Sequence, residues 1–353
     1  EAQHCIFCHR ITSMFFPLFE LDQEEYSCEA LPGKEVIDKY TKRVPSNLHS
    51  MSIQSTKKIL ITGTSTGVGA ALAISLAKKG HTVWATMRNL DKSGTLREGA
   101  KEAGVAVTVA KMDVENLESV NACVAEMVAS TGSIDVLINN AGAGFIRTVE
   151  QATEDEVNWV MNVNFNGVVR TTKAVTPLMR AARKGHIINV SSVGGLVGQP
   201  FNELYCASKF AVEGFTESMA SYMEPAFGIK FTIVEPGGIA TEFASSVLKQ
   251  AEGTGGIRKD EYAPLIGMYM AQRNKREQGE DAKDTAGVFQ TAQEVADVIV
   301  TCVENPQPPL RVRTSPWAEK FCSLKTSADP DGKKLQNEVA MGVLGAKSSS
   351  ELK

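Results

Sequence analysis

The chain lacks any apolar run long enough to cross a membrane. None of its stretches reaches the roughly 18 consecutive apolar residues that a spanning helix needs, although 43% of its 353 residues are hydrophobic. It also lacks an excess of either charge. With 37 basic and 41 acidic side chains the net charge is −4, which gives no footprint for nucleic acid or an anionic membrane surface. Cysteine is sparse. Seven of them, an odd number scattered along a long chain, exclude a disulfide framework and read as reduced thiols of a cytoplasmic compartment. One cluster, Cys5-Ile6-Phe7-Cys8-His9, has the spacing of c-type haem attachment or of half a zinc site. No second ligand pair follows at zinc spacing, and no secretion signal is evident, so no metal site is expected.

Residues 1–54 show no clear helical or strand period. They are expected to form a poorly ordered N-terminal extension, with a processed leader or sequence upstream of a natural start at Met51 as open readings. The polar stretch 323–353 is expected to be a loose tail. Between them, 55–322 alternates strand and helix patterns. Apolar strand runs stand at 58–62, 82–86, 106–110, 134–138, 186–190, 229–234 and 310–314. Helical periodicity fills 68–76, 115–131, a long segment near 154–183, 205–224 and 292–304. Strands apolar on both faces, alternating with helices, predict an α/β class: one doubly wound domain with a seven-stranded parallel sheet. The rhythm breaks at 238–290, a Gly- and charge-rich insertion carrying Phe243, Tyr262, Leu265, Met268, Tyr269 and Met270. An insertion of that length is expected to be a substrate lid or a disordered loop.

Thr62-Gly63-Thr64-Ser65-Thr66-Gly67-Val68-Gly69 joins the first strand to the first helix. Glycines here let the backbone approach a pyrophosphate, and the helix N-terminus supplies free N–H groups. At the end of the second strand, where a carboxylate would hold the ribose 2′-hydroxyl of NAD, the chain has Thr86-Met87-Arg88-Asn89. Arg88 suits a 2′-phosphate, so NADP(H) is the expected cofactor. Asp113 and Val114, just past the third strand, suit the adenine edge, although an Asp there can equally cap the next helix. Asn139-Asn140-Ala141-Gly142 follows the fourth strand and can line the cofactor and hold the central sheet, or form an ordinary turn.

Tyr205 and Lys209 stand four apart, and Ser192 lies 13 residues before the tyrosine. Helical spacing puts the ammonium beside the phenol, where a cation favours phenolate and lowers the phenol pKa. Ser192 can hold a substrate oxygen while Tyr205 exchanges its proton. A hydrolase reading of Ser192 has no neighbouring histidine and no nucleophile elbow.

These motifs, with Pro236-Gly237, occur in the order of the short-chain dehydrogenase/reductase family, which the chain resembles over roughly 57–320. Within it, Ser192-Val193-Gly194-Gly195-Leu196, Tyr205-Cys206-Ala207-Ser208-Lys209-Phe210 and Glu294-Val295-Ala296 are similar to the subgroup of 17-beta-hydroxysteroid dehydrogenase type 1 and photoreceptor retinol dehydrogenase. The resemblance implies a catalytic tetrad. Asn164, in Val163-Asn164-Phe165-Asn166-Gly167, would hold a relay water by its backbone. Ser192 would orient the oxygen, Tyr205 would be the acid/base, and Lys209 would tune the tyrosine and bind the nicotinamide ribose. Asn162 matches less well than Asn164 in register with Gly167. Pro236, Gly237, Ile239 and Thr241 would contact the nicotinamide end. Steroid-selective members carry a histidine in the substrate loop, whereas this chain has none after His186, so a distal steroid hydroxyl would need another partner. The implied activity is interconversion of an alcohol and its carbonyl on a lipophilic substrate, by a homodimer or homotetramer paired through helices 154–183 and 205–224, with Phe210, Phe215 and Met219 available for such a face. The alternatives are a reductase of small carbonyls or acyl thioesters, and a non-catalytic cofactor-sensing protein; the second would be expected to lose Tyr205 or Lys209.

Overall fold

The chain divides into two units between Gln54 and Ser55. The computed structural model describes residues 56–240, 260–277, 288–334 and 337, all in the second unit. The expected extension 1–54 lies outside the described residues. So do Thr241, Phe243 and the rest of the insertion between 241 and 259 and between 278 and 287.

The strands, in chain order, are β1 (Lys58–Thr62), β2 (Thr82–Met87), β3 (Thr108–Lys111), β4 (Val136–Asn139), β5 (Gly185–Val190), β6 (Ile229–Glu235), β7 (Gly238–Ile239), β8 (Phe289–Gln290) and β9 (Arg311–Arg313). The helices are α1 (Gly67–Lys78), α2 (Gly94–Glu102), α3 (Leu117–Thr131), α4 (Glu154–Met161), α5 (Gly167–Ala182), α6 (Glu203–Phe227), α7 (Ala263–Glu277), α8 (Ala292–Glu304) and α9 (Pro316–Thr326). Seven strands form one parallel sheet in the order β3-β2-β1-β4-β5-β6-β9, as the pattern of buried runs predicts. β7 and β8 pair separately in a short parallel ladder.

Strand alternation decides which layer each residue serves. Ile59, Ile61, Val136, Ile138 and Ile188 point into one core with Leu72 and Leu76 of α1 and Val295 and Ile299 of α8. Leu60, Leu137, Ile187 and Phe231 point the other way, against Val124 and Met127 of α3, Met179 of α5 and Met223 of α6. The chain runs outward from β1 to β3 and then returns to β4 beside β1. That reversal opens a crevice at the C-terminal ends of the strands, where such sheets bind ligands.

Three differences from the sequence reading have local causes. The helix expected near 154–183 is broken by a π-helical turn, Asn162–Asn166, between α4 and α5. β3 and β4 each start two residues later than the apolar runs suggest, because neighbouring strands pair only from there. The segment 323–334 is held in place, so a loose tail does not begin at 323. α9 runs to Thr326, the Arg311 N–H donates to the Asp331 carbonyl at 3.0 Å, and Lys333 pairs with Glu224 at 2.8 Å.

Candidate active site

Gly63 and Gly67 have φ of +70° and +60°, a region that glycine enters without steric cost. A Cβ on Gly63 would meet Ala141 Cα at 2.6 Å, and one on Gly69 would meet the Gly63 carbonyl oxygen at 2.2 Å. The loop therefore passes closely over the β4 turn and is fastened to it. Thr62 Oγ1 accepts from the Asn140 and Ala141 N–H groups at 3.1 and 3.0 Å, and Asn140 Nδ2 donates to the Thr62 and Gly63 carbonyls at 3.0 and 2.8 Å. Thr66, the N-cap of α1, makes no side-chain cap, and the first turn holds no carboxylate. The free N–H groups there fit a pyrophosphate.

This loop forms one end of a cavity of about 1360 Å³, larger than the usual range of about 300–1,000 Å³ for a single small-molecule site. Gly63, Ser65, Thr66, Gly67, Val68 and Gly69 line it, as do Arg88, Asp113, Val114, Asn140, Ala141 and Gly142. Pro236, Gly237 and Ile239 stand at the far end with Ser192, Tyr205 and Lys209. Thr64 does not line it. Its N–H and hydroxyl both donate to the Thr86 carbonyl, at 3.0 and 3.1 Å, and it is fully buried, so it ties the loop to β2. Arg88 sits on the rim, 68% exposed, with its guanidinium 2.9 Å from the Glu115 carboxylate. Asp113 Oδ1 accepts from the Glu115 N–H at 3.1 Å; it does not cap α3, whose N-cap is Asn116, accepting from the Ser119 N–H.

Ser192 caps a short 3₁₀ turn by accepting from the Gly194 N–H at 3.0 Å, and its side chain is hydrogen-bonded to the Tyr205 phenol. Lys209 Nζ donates to the Val190 carbonyl at 2.9 Å and lies 5.8 Å from the centre of the Tyr205 ring. Asn164 sits in the π-helical turn, fully buried. Its Oδ1 accepts from the Ala143 N–H at 2.7 Å, and its Nδ2 donates to the Ala143 carbonyl at 2.9 Å and to Ser208 Oγ at 3.0 Å. The side chain thus locks the Gly142 turn to the helix that carries Tyr205. π-Helical turns of this kind recur at functional sites.

Electrostatics depart from the sequence expectation. Burial pushes the Tyr205 phenol up to about 12, with the Ser192 hydrogen bond opposing. Burial also pulls the Lys209 ammonium down to about 8, with the Glu213 carboxylate opposing. Loss of hydration thus dominates at both groups.

Beyond the tyrosine the wall turns apolar. Phe145, Val193 and Val197 lie on one side, and the stacked pair Trp317 and Phe321, 4.8 Å between ring centres, on another. Phe201 lines the mouth at φ +63°, uncommon for a bulky residue. The Arg147 N–H holds its carbonyl at 2.9 Å, and its ring meets Tyr269 of α7 edge-on at 5.6 Å.

In the layer beneath, sequence reasoning gave Asn139 a part in holding the central sheet but missed the partners Thr171, Asn189 and Thr216. Asn139 Oδ1 accepts from Thr171 Oγ1 at 2.6 Å, Asn139 Nδ2 donates to Asn189 Oδ1 at 2.8 Å, and Asn189 Nδ2 donates to Thr216 Oγ1 at 2.8 Å. This buried chain joins β4, β5, α5 and α6 under the site. Polar residues inside otherwise apolar strands were its only signal. No cluster of metal-ligating side chains occurs among the described residues, and none of their helices is long and apolar enough to cross a membrane.

Comparisons with known proteins agree with this geometry. The short chain dehydrogenase family model matches residues 57–252. Bovine (Bos taurus) retinol dehydrogenase 8 is 41% identical over 282 residues, spanning 78% of this chain and 86% of that protein. Human (Homo sapiens) 17-beta-hydroxysteroid dehydrogenase type 1 is 34% identical over 295 residues, spanning 81% and 86%. Among solved structures, an actinorhodin polyketide ketoreductase variant with NADPH superposes with a TM-score of 0.59 at 28% identity, covering 72% of this chain and 93% of that one.

Proposed function

The chain belongs to the short-chain dehydrogenase/reductase family and is an oxidoreductase, and we propose that it uses NADP(H) to interconvert a primary or secondary alcohol and its aldehyde or ketone on a lipophilic, retinoid- or steroid-like substrate. The observation that carries this reading is the convergence of Ser192, Tyr205 and Lys209 in one cavity, between a glycine cradle and an apolar wall.

The bound dinucleotide would supply the hydride. The side chains would do the rest. The backbone of 63–69 would hold the pyrophosphate, and Arg88 the 2′-phosphate. Ser192 and Tyr205 would grip the substrate oxygen from two sides, since their side chains already share a hydrogen bond. The phenol, kept protonated by burial, is suited to give its proton to a developing alkoxide. Lys209, anchored on Val190, would face the nicotinamide ribose, and Asn164 would hold the π-helical turn in register. Thr241, expected at the nicotinamide end, lies outside the described residues.

The apolar wall and the similarity to retinol and 17-beta-hydroxysteroid dehydrogenases support a lipophilic substrate. The ketoreductase solved with NADPH supports the choice of cofactor, as does Arg88 without a carboxylate at the end of β2. We place the enzyme in the cytoplasm, free or peripheral to a membrane, consistent with free thiols at Cys123, Cys206, Cys302 and Cys322. Association as a homodimer or homotetramer would use α5 and α6, where Phe210 and Tyr222 are each 40% exposed. Phe215 packs against Phe165, and Met219 packs against the core, so those two add little to such a face. The test is an assay of retinoids, steroids and short ketones with NADPH and with NADH. Turnover confined to short ketones, or equal use of both cofactors, would count against the reading.

A further inference from the structure

Asn202 is the N-cap of α6 by position but not by contact. Its side chain makes no cap hydrogen bond, although asparagine is among the strongest N-cap residues. Asn116, at the same position of α3, accepts from the Ser119 N–H. The Asn202 amide turns instead toward α7. Its Nδ2 donates to the Pro200 carbonyl at 2.8 Å and to the Tyr269 hydroxyl at 3.0 Å. The Pro200 carbonyl can only accept, which fixes the end of the amide that carries the nitrogen.

The surroundings hold this pair in place. Phe201, at φ +63°, sets its ring edge-on to Tyr269, and its carbonyl takes the Arg147 N–H at 2.9 Å. The Arg147 guanidinium is buried against Glu156 at 2.9 Å. Backbone kept in a sparsely populated region by the structure around it clusters at ligand clamps. α7 and the turn before it are fastened elsewhere as well. Gln151 Nε2 donates to Asp260 at 2.7 Å, and the Tyr262 hydroxyl donates to Glu150 at 2.8 Å. The Asn202–Tyr269 contact is therefore not the sole support of α7.

Asn202 and Tyr269 both line the cavity, among Phe201, Leu265 and Met268. Both Nδ2 protons are spent. Among the described residues nothing donates to Asn202 Oδ1, and nothing accepts the Tyr269 proton. The pair thus offers one acceptor and one donor side by side in apolar surroundings. A carbonyl or an ether on a ligand would answer the donor alone, whereas a hydroxyl answers both with one atom.

We propose that Asn202 and Tyr269 are specificity-determining residues that grip a hydroxyl of the substrate other than its reacting oxygen. The preferred substrate is then a lipophilic hydroxy-carbonyl compound, and its product a diol. This rests on the reading of Tyr205 as the acid of a carbonyl reductase. Asn202 stands three residues before Tyr205, about one helical turn, so the stretch between the gripped hydroxyl and the carbonyl should be short. A site built to hydrogen-bond a hydroxyl discriminates against the analogue that lacks it, because its own polar groups are then left dry and unpaired.

The test is steady-state reduction with NADPH by the full chain. The substrates are 2-dodecanone and its monohydroxy derivatives, the hydroxyl moved stepwise along the chain away from the carbonyl. Native kcat/KM should favour the hydroxyketone over 2-dodecanone by about tenfold at one spacing, the worth of an ordinary neutral hydrogen-bonded contact. Tyr269→Phe removes the donor and keeps the ring beside Phe201, and should lower that ratio severalfold. Asn202→Leu removes the acceptor and the anchor of Tyr269, and should bring the ratio close to one. If the pair only fastens α7, each variant would slow both ketones alike and leave the ratio as it was. That result overturns the proposal, as does a native enzyme that treats every member of the series equally. If Asn202→Leu does not fold, Tyr269→Phe decides: a fallen ratio supports the proposal and an unchanged one overturns it. A native protein that reduces no member of the series is a different result, since it refutes the reading of a lipophilic carbonyl reductase and the proposal falls with it.

Discussion

Lys209 Nζ donates a 2.9 Å hydrogen bond to the carbonyl of Val190, two residues before Ser192. One contact thus ties the helix that carries the acid to the end of the strand that carries the serine. Lys209→Ala should therefore damage more than charge. Turnover should fall, NADPH affinity should fall, and the Tyr205–Ser192 geometry should loosen together. Lys209→Met keeps the stem but not the donor, and should behave like alanine. A methionine variant with native turnover would refute this linkage.

Tyr205→Phe removes the proton and keeps the ring. NADPH binding should stay near native while turnover drops by about 10²–10⁴-fold, the usual worth of a general acid. Fluorescence titration and steady-state rates on whichever carbonyl the native enzyme reduces separate the two effects. Retained turnover with bound cofactor would favour a cofactor-sensing role over catalysis.

Arg88→Ala should weaken NADPH more than NADH, by about one decade, since a charge-assisted contact on an exposed rim is discounted by solvent. Glu115 already engages the guanidinium, so Glu115→Gln should shift the preference the other way, toward NADPH. Equal losses for both dinucleotides would make Arg88 a merely structural partner of Glu115.

Asn164→Ala strips the partners from the Ala143 N–H and carbonyl and from Ser208. Unsatisfied buried groups cost about 1–3 kcal/mol each before relaxation, so a loss of about 2 kcal/mol in urea unfolding is expected. A change smaller than experimental error would mean that water replaces the amide without cost.

His186 is buried on β5, with Nε2 2.9 Å from Thr232 Oγ1, and burial drops its pKa from the ordinary 6.5 to about 3. The unfolded chain takes up this proton below about pH 6.5 while the folded chain refuses it, so stability is full above that pH and falls on acidification. Between pH 6.5 and 5 this one group should cost about 2 kcal/mol. His186→Gln should flatten that slope, and unfolding curves for the two proteins at both pH values check it.

Local features were the legible ones. The run Lys58–Thr62, the glycine spacing after it and the four-residue step from Tyr205 to Lys209 are short-range patterns, and each reappears where the pattern puts it. The break of the long helix at Asn162–Asn166 was not legible, because no residue type or spacing marks a single i→i+5 turn inside a helical run. Arg88 could be read as a cation at a strand end, but its pairing with Glu115, 27 residues on, depends on how β2 and β3 are placed. The pKa of Tyr205 was misjudged for a related reason. Spacing shows who the neighbours are, whereas hydration depends on everything folded over them. A buried ion cluster of Glu213, Glu235 and Arg311 joins residues up to 98 apart, which no window along the chain can show.

The segment after α9 also bears on how the sheet ends. β9 is an edge strand, and an open edge invites pairing with a foreign strand. Here the Arg311 N–H is taken by Asp331 at 3.0 Å, the Arg313 guanidinium donates to the Pro330 carbonyl at 2.6 Å, and Gly332, at φ +74°, folds its backbone beside Leu310. The opposite edge, β3, is only four residues long and ends in the exposed Lys111. One border is thus bolted by the chain's own return and the other is short and charged. Together they discourage stacking into fibrils and keep a seven-stranded parallel sheet a closed unit.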